Sequence, residues 1–561
     1  MIAIAERAFR FLSSEVRGLH AAAYVLATFA LLSSLLALVR DRLLAHAFGA
    51  STTLDIYYAG FRIPDLLFVA TGALVSVYIL IPELVRRSKE EQRDYIDTVV
   101  LGFSVLAVIL SGIAALFAPY MLSLLFPAYV GENADLLVSV TRILLLQPIL
   151  LGLSNILAAI TQVQHRYAIY ALSPLLYNIG IIIGIVFLYP LLGLSGLAVG
   201  VVIGAALHLS IQLPSIVADG YFLRLPRFVE PRALFETARV SIPRALALSM
   251  NQIAFLGLVA LGSTLTVGSV SVFMFAFNLQ AVPLAIIGAS YSVAAFPTLA
   301  LALSRGERNE FIVHVATAAR YVFFWSVPAS ALILILRAYI VRVVLGTGAF
   351  DWTDTRLTAA AFALLAFSLV SQGIMLLLVR GYYAAGRTFV PFVVSACMAL
   401  LTLALAALML GALSTPAILG WIEHALRVEN LPGTAVLGLA LAYTASSLLG
   451  TILMAILFER RFNGFVAQVR SAFFESIVAA VAGAVAAYIG LTIIGVFADT
   501  TSSLAVFLTG FGGGVCGIVA AGMTYHFLAS REYVETVASV RARLWRAQPK
   551  DEVILVSSAE E

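Results

Sequence analysis

Charge, lysine and cysteine are all scarce in this 561-residue chain. Charged residues make up 11% of it, against about 25% in soluble domains. The two cysteines, Cys397 and Cys516, both sit in apolar runs. That excludes a disulfide framework or a thiolate metal site and marks them as packing residues. Lys89 and Lys550 are the only lysines. The other basic residues are arginines placed between apolar runs, with a net charge of +4. Such a pattern addresses lipid headgroups and membrane topology, not nucleic acid. The histidines are scattered, and no phosphate-cradling glycine loop, His-Glu-x-x-His or Gly-x-Ser-x-Gly occurs. The chain therefore reads as a non-enzyme with no cofactor and no metal site. Without a nucleotide site, any transport would draw on a coupling ion, the membrane potential or a substrate gradient.

What remains is hydrophobic: 62% of residues, with a mean hydropathy of +1.02. This is an all-α integral membrane protein. A hydrocarbon core of about 30 Å takes roughly 20 apolar residues per helix. Fourteen such runs are present, near 21–47, 56–83, 97–126, 135–162, 168–190, 193–215, 240–263, 268–302, 312–336, 357–379, 389–413, 434–458, 472–497 and 502–528. The polar start, "MIAIAERAFRFLSSEVRGLH", reads as an interfacial helix on the membrane and not as a cleavable leader.

Arginine placement tests the count. With the N-terminus inside, every second gap should be basic. Arg86, Arg87, Lys89 and Arg93 fill the first of these gaps, and Arg166 the next. Arg224, Arg227 and Arg232 follow, then Arg305 and Arg308, then Arg387, then Arg460, Arg461 and Arg470. The opposite gaps hold few basic residues, the exceptions being Arg337, Arg342, Arg356 and Arg427. Fourteen helices with both termini cytoplasmic are expected.

A weak repeat divides the chain. "FRIPDLLFVATGALVSV" from Phe61 aligns without gaps with "FNLQAVPLAIIGASYSV" from Phe277, matching Gly72 with Gly288 and Ser76 with Ser292. Two six-helix halves in one orientation imply a pseudo-twofold axis along the membrane normal, as in transporters. The expected units are an interfacial helix and first half over 1–220, a second half over 221–462, two extra helices over 463–530 and a tail over 531–561. Gly196, Gly200 and Gly204, and likewise Gly513 and Gly517, form small-residue stripes explained by close helix packing.

The stretch "LLALVRDRLLAHAFGASTTLDIYYAGFRIPDLLF" from Leu35 to Phe68 is the exception to this economy of charge. A charge at the centre of a span costs about 3 kcal/mol or more, yet Arg40, Asp41, Arg42, Asp55, Arg62 and Asp65 all occur here. An arginine alone could snorkel to the headgroups; the adjacent Asp41 could not reach so far. Gly49 offers a helix stop and Ser51 a cap for the next helix, leaving Asp55 as either a capping acid or a cavity acid. Pro64 predicts a bend beside Arg62. A hydrated cavity between helices accounts for charges that face each other inside the membrane. Arg244 beside Pro243, Arg142 and Asn278 are further candidates, for which snorkelling or interhelical hydrogen bonds serve equally well.

These residues resemble the N-terminal signature of the MviN/MurJ family: an Arg-Asp pair, Phe-Gly-Ala, an Asp and a basic-apolar-Pro step, in this order. "LSPLLYNIG" from Leu172 also resembles that family's fifth helix. The resemblance implies the multidrug/oligosaccharidyl-lipid/polysaccharide exporter fold. It also implies that the chain flips an undecaprenyl-diphosphate peptidoglycan precursor, lipid II, across the bacterial inner membrane by alternating access. Arg40 would then meet the diphosphate, with Asp41, Asp55 and Arg62 at the family's charged positions. The pattern departs at Ser34, at Phe68, Val69 and Ala73, and at Phe277-Asn278, where family members often carry charge. A same-fold exporter of another lipid-linked oligosaccharide or an amphipathic drug is the first rival; a drug exporter would favour buried acids. A non-transporting scaffold of cell-wall assembly is the second; it would need no paired charges in mid-membrane.

Overall fold

Backbone in hydrocarbon must satisfy its own hydrogen bonds, which leaves long apolar runs the α-helix. In the computed structural model, which describes residues 19–72, 75, 77–129, 131, 133–497 and 502–545, every regular element is helical and no strand occurs among the described residues. The expected interfacial helix at the N-terminus lies outside them. Among the described residues, eleven helices are long and apolar enough to cross a membrane. They become twelve when the pair Trp352–Ala366 and Ser368–Ala384, bent by 42°, is taken as one span.

The difference from the fourteen expected runs lies in the first two. The first run forms a single 30-residue helix, Leu19–Phe48, that carries Arg40, Asp41 and Arg42 in its C-terminal half. The second is cut into Thr52–Gly60, Arg62–Gly72 and Val77–Val85. The first cut has a local cause. Pro64 has no N–H to give the Gly60 carbonyl, which weakens the helix where it breaks at Phe61. Helix Thr52–Gly60 starts as the sequence suggests: Gly49 takes a positive φ of 58°, and the Ser51 hydroxyl accepts from the Leu54 N–H.

In the second of the two aligned repeat segments the shared glycine is irregular: Gly288 lies in a five-residue π-helical stretch, Ala285–Ala289. Gly288 is there because a Cβ would come within 2.8 Å of the Gly373 Cα.

The glycine stripes are contact surfaces. A Cβ on Gly180 would lie 2.2 Å from the Gly204 Cα, and one on Gly200 would lie 2.4 Å from the Gly184 Cα, so helices Tyr167–Ile183 and Leu194–Ser210 cross backbone to backbone. On the far side, a Cβ on Gly517 would lie 2.9 Å from the Gly483 carbonyl, where helices Phe465–Phe497 and Ser503–Phe527 pack on each other. Both also pack on the long helix Arg308–Val344. The described tail is a helix, Arg531–Trp545, which returns to that same helix. Glu532 pairs with Arg320 at 2.7 Å, and the Tyr321 hydroxyl donates to Glu535 at 2.7 Å.

Arg337 and Arg356, exceptions to the expected charge alternation, have a structural use. A short helix the run-counting missed, Pro416–Leu426, ends there with Arg427 left-handed at φ 59°. Its terminal carbonyls accept from Arg337 (Leu426 O, 2.9 Å) and from Arg356 (Arg427 O).

Candidate functional site

A cavity of about 570 Å³ lies among helices of both sequence halves. Helix Leu19–Phe48 contributes Arg40 and Asp41; the broken second run contributes Tyr57, Tyr58, Phe61, Arg62 and Asp65. The facing wall comes from helices Pro231–Ser263, Ser269–Leu284, Ser368–Ala384 and Leu437–Phe462, through Phe255, Asn278, Gln372 and Tyr443 among others. Tyr177, one residue before Asn178 on helix Tyr167–Ile183, closes one side.

Two arginine–aspartate pairs supply its charge. The Arg40 Nε and Nη2 donate to Asp41 Oδ1 at 2.9 and 2.7 Å, and its Nη1 donates to Asn178 Oδ1 at 3.1 Å. Asp41 Oδ2 accepts from Asn278 Nδ2 at 3.2 Å. Asp41 therefore links the first half to the second through the cavity. Arg62 pairs with Asp65 at 3.2 Å one turn along its helix, donates its Nε to the Tyr58 carbonyl at 3.0 Å, and stacks over Phe255 at 5.0 Å. Among the described lining residues the formal charges cancel. Both guanidiniums are held at fixed places by partners whose removal would leave charge in a low-dielectric site. The rest of the wall mixes aromatic and aliphatic side chains with neutral polar ones such as Asn251, Gln252, Gln372 and Ser446, so the flat apolar faces alternate with groups that can hydrogen-bond.

The other charges of the opening stretch do something else. Asp55 does not line the cavity. It is buried, and it accepts from Gly268 N (2.7 Å), Ser271 N (2.7 Å) and Ser271 Oγ (2.5 Å). It caps the first turn of helix Ser269–Leu284, in the opposite half, while Ser51 caps Asp55's own helix. The sequence offered a capping acid and a cavity acid as alternatives; the geometry is a cap, supplied across the two halves. Arg42 likewise turns from the cavity. Its Nη1 donates to the Val343 carbonyl at 2.5 Å and the Val344 carbonyl at 3.2 Å, the exposed end of helix Arg308–Val344. Helix ends carry unpaired backbone groups and a partial charge, positive at the N-terminus and negative at the C-terminus, so an acid at an N-terminus and an arginine at a C-terminus are both stabilising.

More contacts seal the same face. Ala349 N donates to the His46 carbonyl at 2.9 Å, His46 Nδ1 meets Thr347 Oγ1 at 3.1 Å, and Ala50 N donates to Asp354 Oδ2 at 3.0 Å. Gly268 has φ +86°, and a Cβ on it would lie 2.6 Å from the Ala50 carbonyl. The loops around Gly49, Gly268 and Gly348 thus touch backbone to backbone. None of their residues lines the cavity, which instead extends to Tyr383 and Ser395, near the opposite ends of their helices.

The remaining candidates divide. Asn278 reaches the cavity. Arg142 is placed elsewhere: it is exposed, and its Nε donates to the Ala115 carbonyl of the neighbouring helix at 3.0 Å. It sits in the last turn of helix Ala134–Leu144 and is not among the residues lining the cavity. Arg244 lies in helix Pro231–Ser263, but its side chain is outside the described residues. Sequence reading counted Asp65 among the charges without singling it out as a site residue, and passed over Asn178 and the tyrosines. Asp65 was legible as the i+3 partner of Arg62. Asn178 was in view within "LSPLLYNIG" but carried no charge to single it out.

Comparison with known proteins matches these features. The family model described as lipid II flippase MurJ matches residues 44–511. A probable lipid II flippase MurJ of Thermotoga maritima is 27% identical over 372 residues, covering 66% of this chain and 75% of that protein. A lipid II flippase MurJ of Burkholderia cenocepacia is 25% identical over 370 residues, covering 64% and 71%. Among solved structures, "Lipid II flippase MurJ, inward closed conformation" superposes with a TM-score of 0.70 at 20% identity, over 90% of this chain and all of that one. An inward-facing multidrug transporter of the MATE family superposes with a TM-score of 0.61 at 14% identity, over 77% and 95%. The family match spans most of the chain and takes in the cavity lining from Leu44 onward, with Arg40, Asp41 and Arg42 just ahead of it: this chain is a multi-pass membrane protein of the lipid II flippase MurJ family.

Proposed function

We propose that this chain flips lipid II across the bacterial inner membrane. One observation carries the reading: two arginines, held in mid-membrane by aspartates, face a cavity shared by both halves and shut on one side. A diphosphate needs cations in a place that excludes water. Arg40 and Arg62 are such cations, and they are preset, because Asp41, Asn178, Asp65 and the Tyr58 carbonyl already hold the two guanidiniums. An arriving diphosphate competes with Asp41 for Arg40. Asp41 released in this way is left with Asn278, across the cavity, as its remaining side-chain partner. The isoprenoid tail stays in lipid while the headgroup passes. Alternating access follows from the asymmetry of the seal, which ties helix ends of one half to helix ends of the other on the Gly49 face.

In this reading fourteen helices cross the membrane, in two six-helix halves over 1–220 and 221–462 with two further helices over 463–530. Both termini are cytoplasmic, and the Gly49 face is periplasmic. Arginine placement supports that orientation. An impermeant maleimide added outside is expected to label a cysteine at the exposed Gly131 and to miss one at the exposed Arg387. Labelling at Arg387 in intact cells would reverse the orientation.

The function itself is tested in vesicles. Purified protein should expose lipid II headgroups, initially inside, to an impermeant reagent added outside, at a rate that empty vesicles lack. Transport of a cationic drug without headgroup flipping would favour the exporter reading. Neither activity, with cell-wall synthesis still dependent on the protein, would favour the scaffold.

A further inference from the structure

A second hollow lies outside the cavity. It is an apolar crevice of about 300 Å³ between helix Lys89–Leu125 of the first half and the start of helix Pro231–Ser263 of the second. Val99, Phe103 and Leu106 face Leu234, Phe235 and Ala238 across it. The polar side chain on its wall, Thr237, has its hydroxyl committed to the Tyr95 hydroxyl at 2.9 Å and to the Ala233 carbonyl at 2.8 Å. A buried water needs two to four polar partners and would find none here, so the crevice suits hydrocarbon. Hydrocarbon is at hand: Val105, Val108 and Ile109 on the same helix are exposed, on a helix long and apolar enough to cross the membrane.

The rim has the opposite character. The segment joining the halves exposes Leu223, Leu225, Phe228 and Val229, with Arg224 and Arg227 between them. Arg232 and Arg239 follow, seven residues apart and hence on one face of the helix, with Phe235 between them. The nearby acids are partly spent. Glu230 pairs with Arg87 at 2.7 Å and Asp94 with Arg224 at 3.1 Å. Glu236 pairs with Arg232 at 3.4 Å, but that arginine's side chain is 93% exposed. Apolar residues interleaved with arginines around an apolar slot are what a phospholipid with an anionic headgroup would meet.

We infer that an anionic glycerophospholipid binds at this junction, one acyl chain in the crevice and its phosphate against Arg227, Arg232 and Arg239. Because the crevice walls belong to different halves, the lipid holds those two helix ends together and biases the halves toward this arrangement. Its assignment to the cytoplasmic leaflet rests on the proposed topology; the test below uses lipid in both leaflets and does not.

The probe is Phe235→Trp in a protein whose four native tryptophans are phenylalanines. It is reconstituted in phosphatidylcholine containing either dibrominated phosphatidylglycerol or dibrominated phosphatidylcholine. Bromine quenches tryptophan on contact. The anionic lipid should quench at a mole fraction lower by about fivefold or more, the scale of one arginine at a charged membrane surface. Replacing Arg227, Arg232 and Arg239 by Gln should erase that preference, as should high salt in the unsubstituted protein. Ala238→Phe, which fills the crevice, should weaken quenching by both lipids. Equal quenching by the two lipids, or a preference that survives both the Gln variant and salt, overturns the site. Displacement of the brominated lipid by undecaprenyl diphosphate at equal amounts would also overturn it, giving the crevice to the isoprenoid tail instead.

Discussion

Arg40→Ala and Arg62→Ala are each expected to abolish rescue of cells depleted of their own lipid II flippase, at wild-type membrane levels of the variant protein. Each deletion removes a charge-assisted hydrogen bond to the diphosphate, worth about 1.5–3 kcal/mol and so about tenfold to a hundredfold in affinity. It also leaves an aspartate without its cation, buried Asp41 in one case and half-buried Asp65 in the other. Asp41 would keep only Asn278 among its present side-chain partners. Lysine should restore part of the function at either position. It keeps the charge but lacks the planar fork with which Arg40 holds Asp41 and Asn178 at once. A rescue of both alanine variants equal to wild type would remove these residues from headgroup binding. The paired variant Arg62→Ala/Asp65→Ala separates charge loss from misfolding, because it leaves no unpaired acid; it should fold well and still fail to transport.

Locking the sealed face is expected to stop flipping almost completely. His46 and Thr347 meet at 3.1 Å from opposite halves, and neither lines the cavity. In a protein with Cys397 and Cys516 replaced by alanine, cysteines at 46 and 347 bridged by a short, reducible thiol crosslinker should hold the Gly49 face shut. Headgroup flipping should fall at least about tenfold, as it would if the crosslink added about 1.4 kcal/mol or more to the opening of that face. Binding of lipid II from the cytoplasmic side should persist, and reductant should restore the rate. Unchanged flipping in the crosslinked protein would mean a fixed groove or a different moving part. Asp55→Ala should act in the opposite sense. It leaves the Gly268 and Ser271 N–H groups without their acceptor and so weakens the closed state.

Much of this molecule was legible before any coordinates. Apolar runs of about 20 residues in the absence of water leave one backbone solution, so the helical class and most helix limits follow from hydropathy alone. Gly49 as a stop and Ser51 as a cap are local chemistry, and they read correctly. So did the glycine stripes, whose small residues have no other use in a span. Pro64 marked the bend, though not that the run would be cut into three helices.

Partners were not legible, because hydrogen bonds between sequence-distant residues leave no local period. Six charges fall within thirty residues, and the sequence offered one cavity for them, with a helix cap as the alternative for Asp55. The fold divides them: Arg40, Asp41, Arg62 and Asp65 face the cavity, while Arg42 and Asp55 leave it to cap helices more than 200 positions away. Arg142 drew notice by its charge alone, and the neighbouring carbonyl of Ala115 disposes of it. Composition and periodicity can state that charge in a membrane needs a reason. Which reason applies depends on which helix ends and side chains lie opposite, and that is decided only when the two halves close on each other.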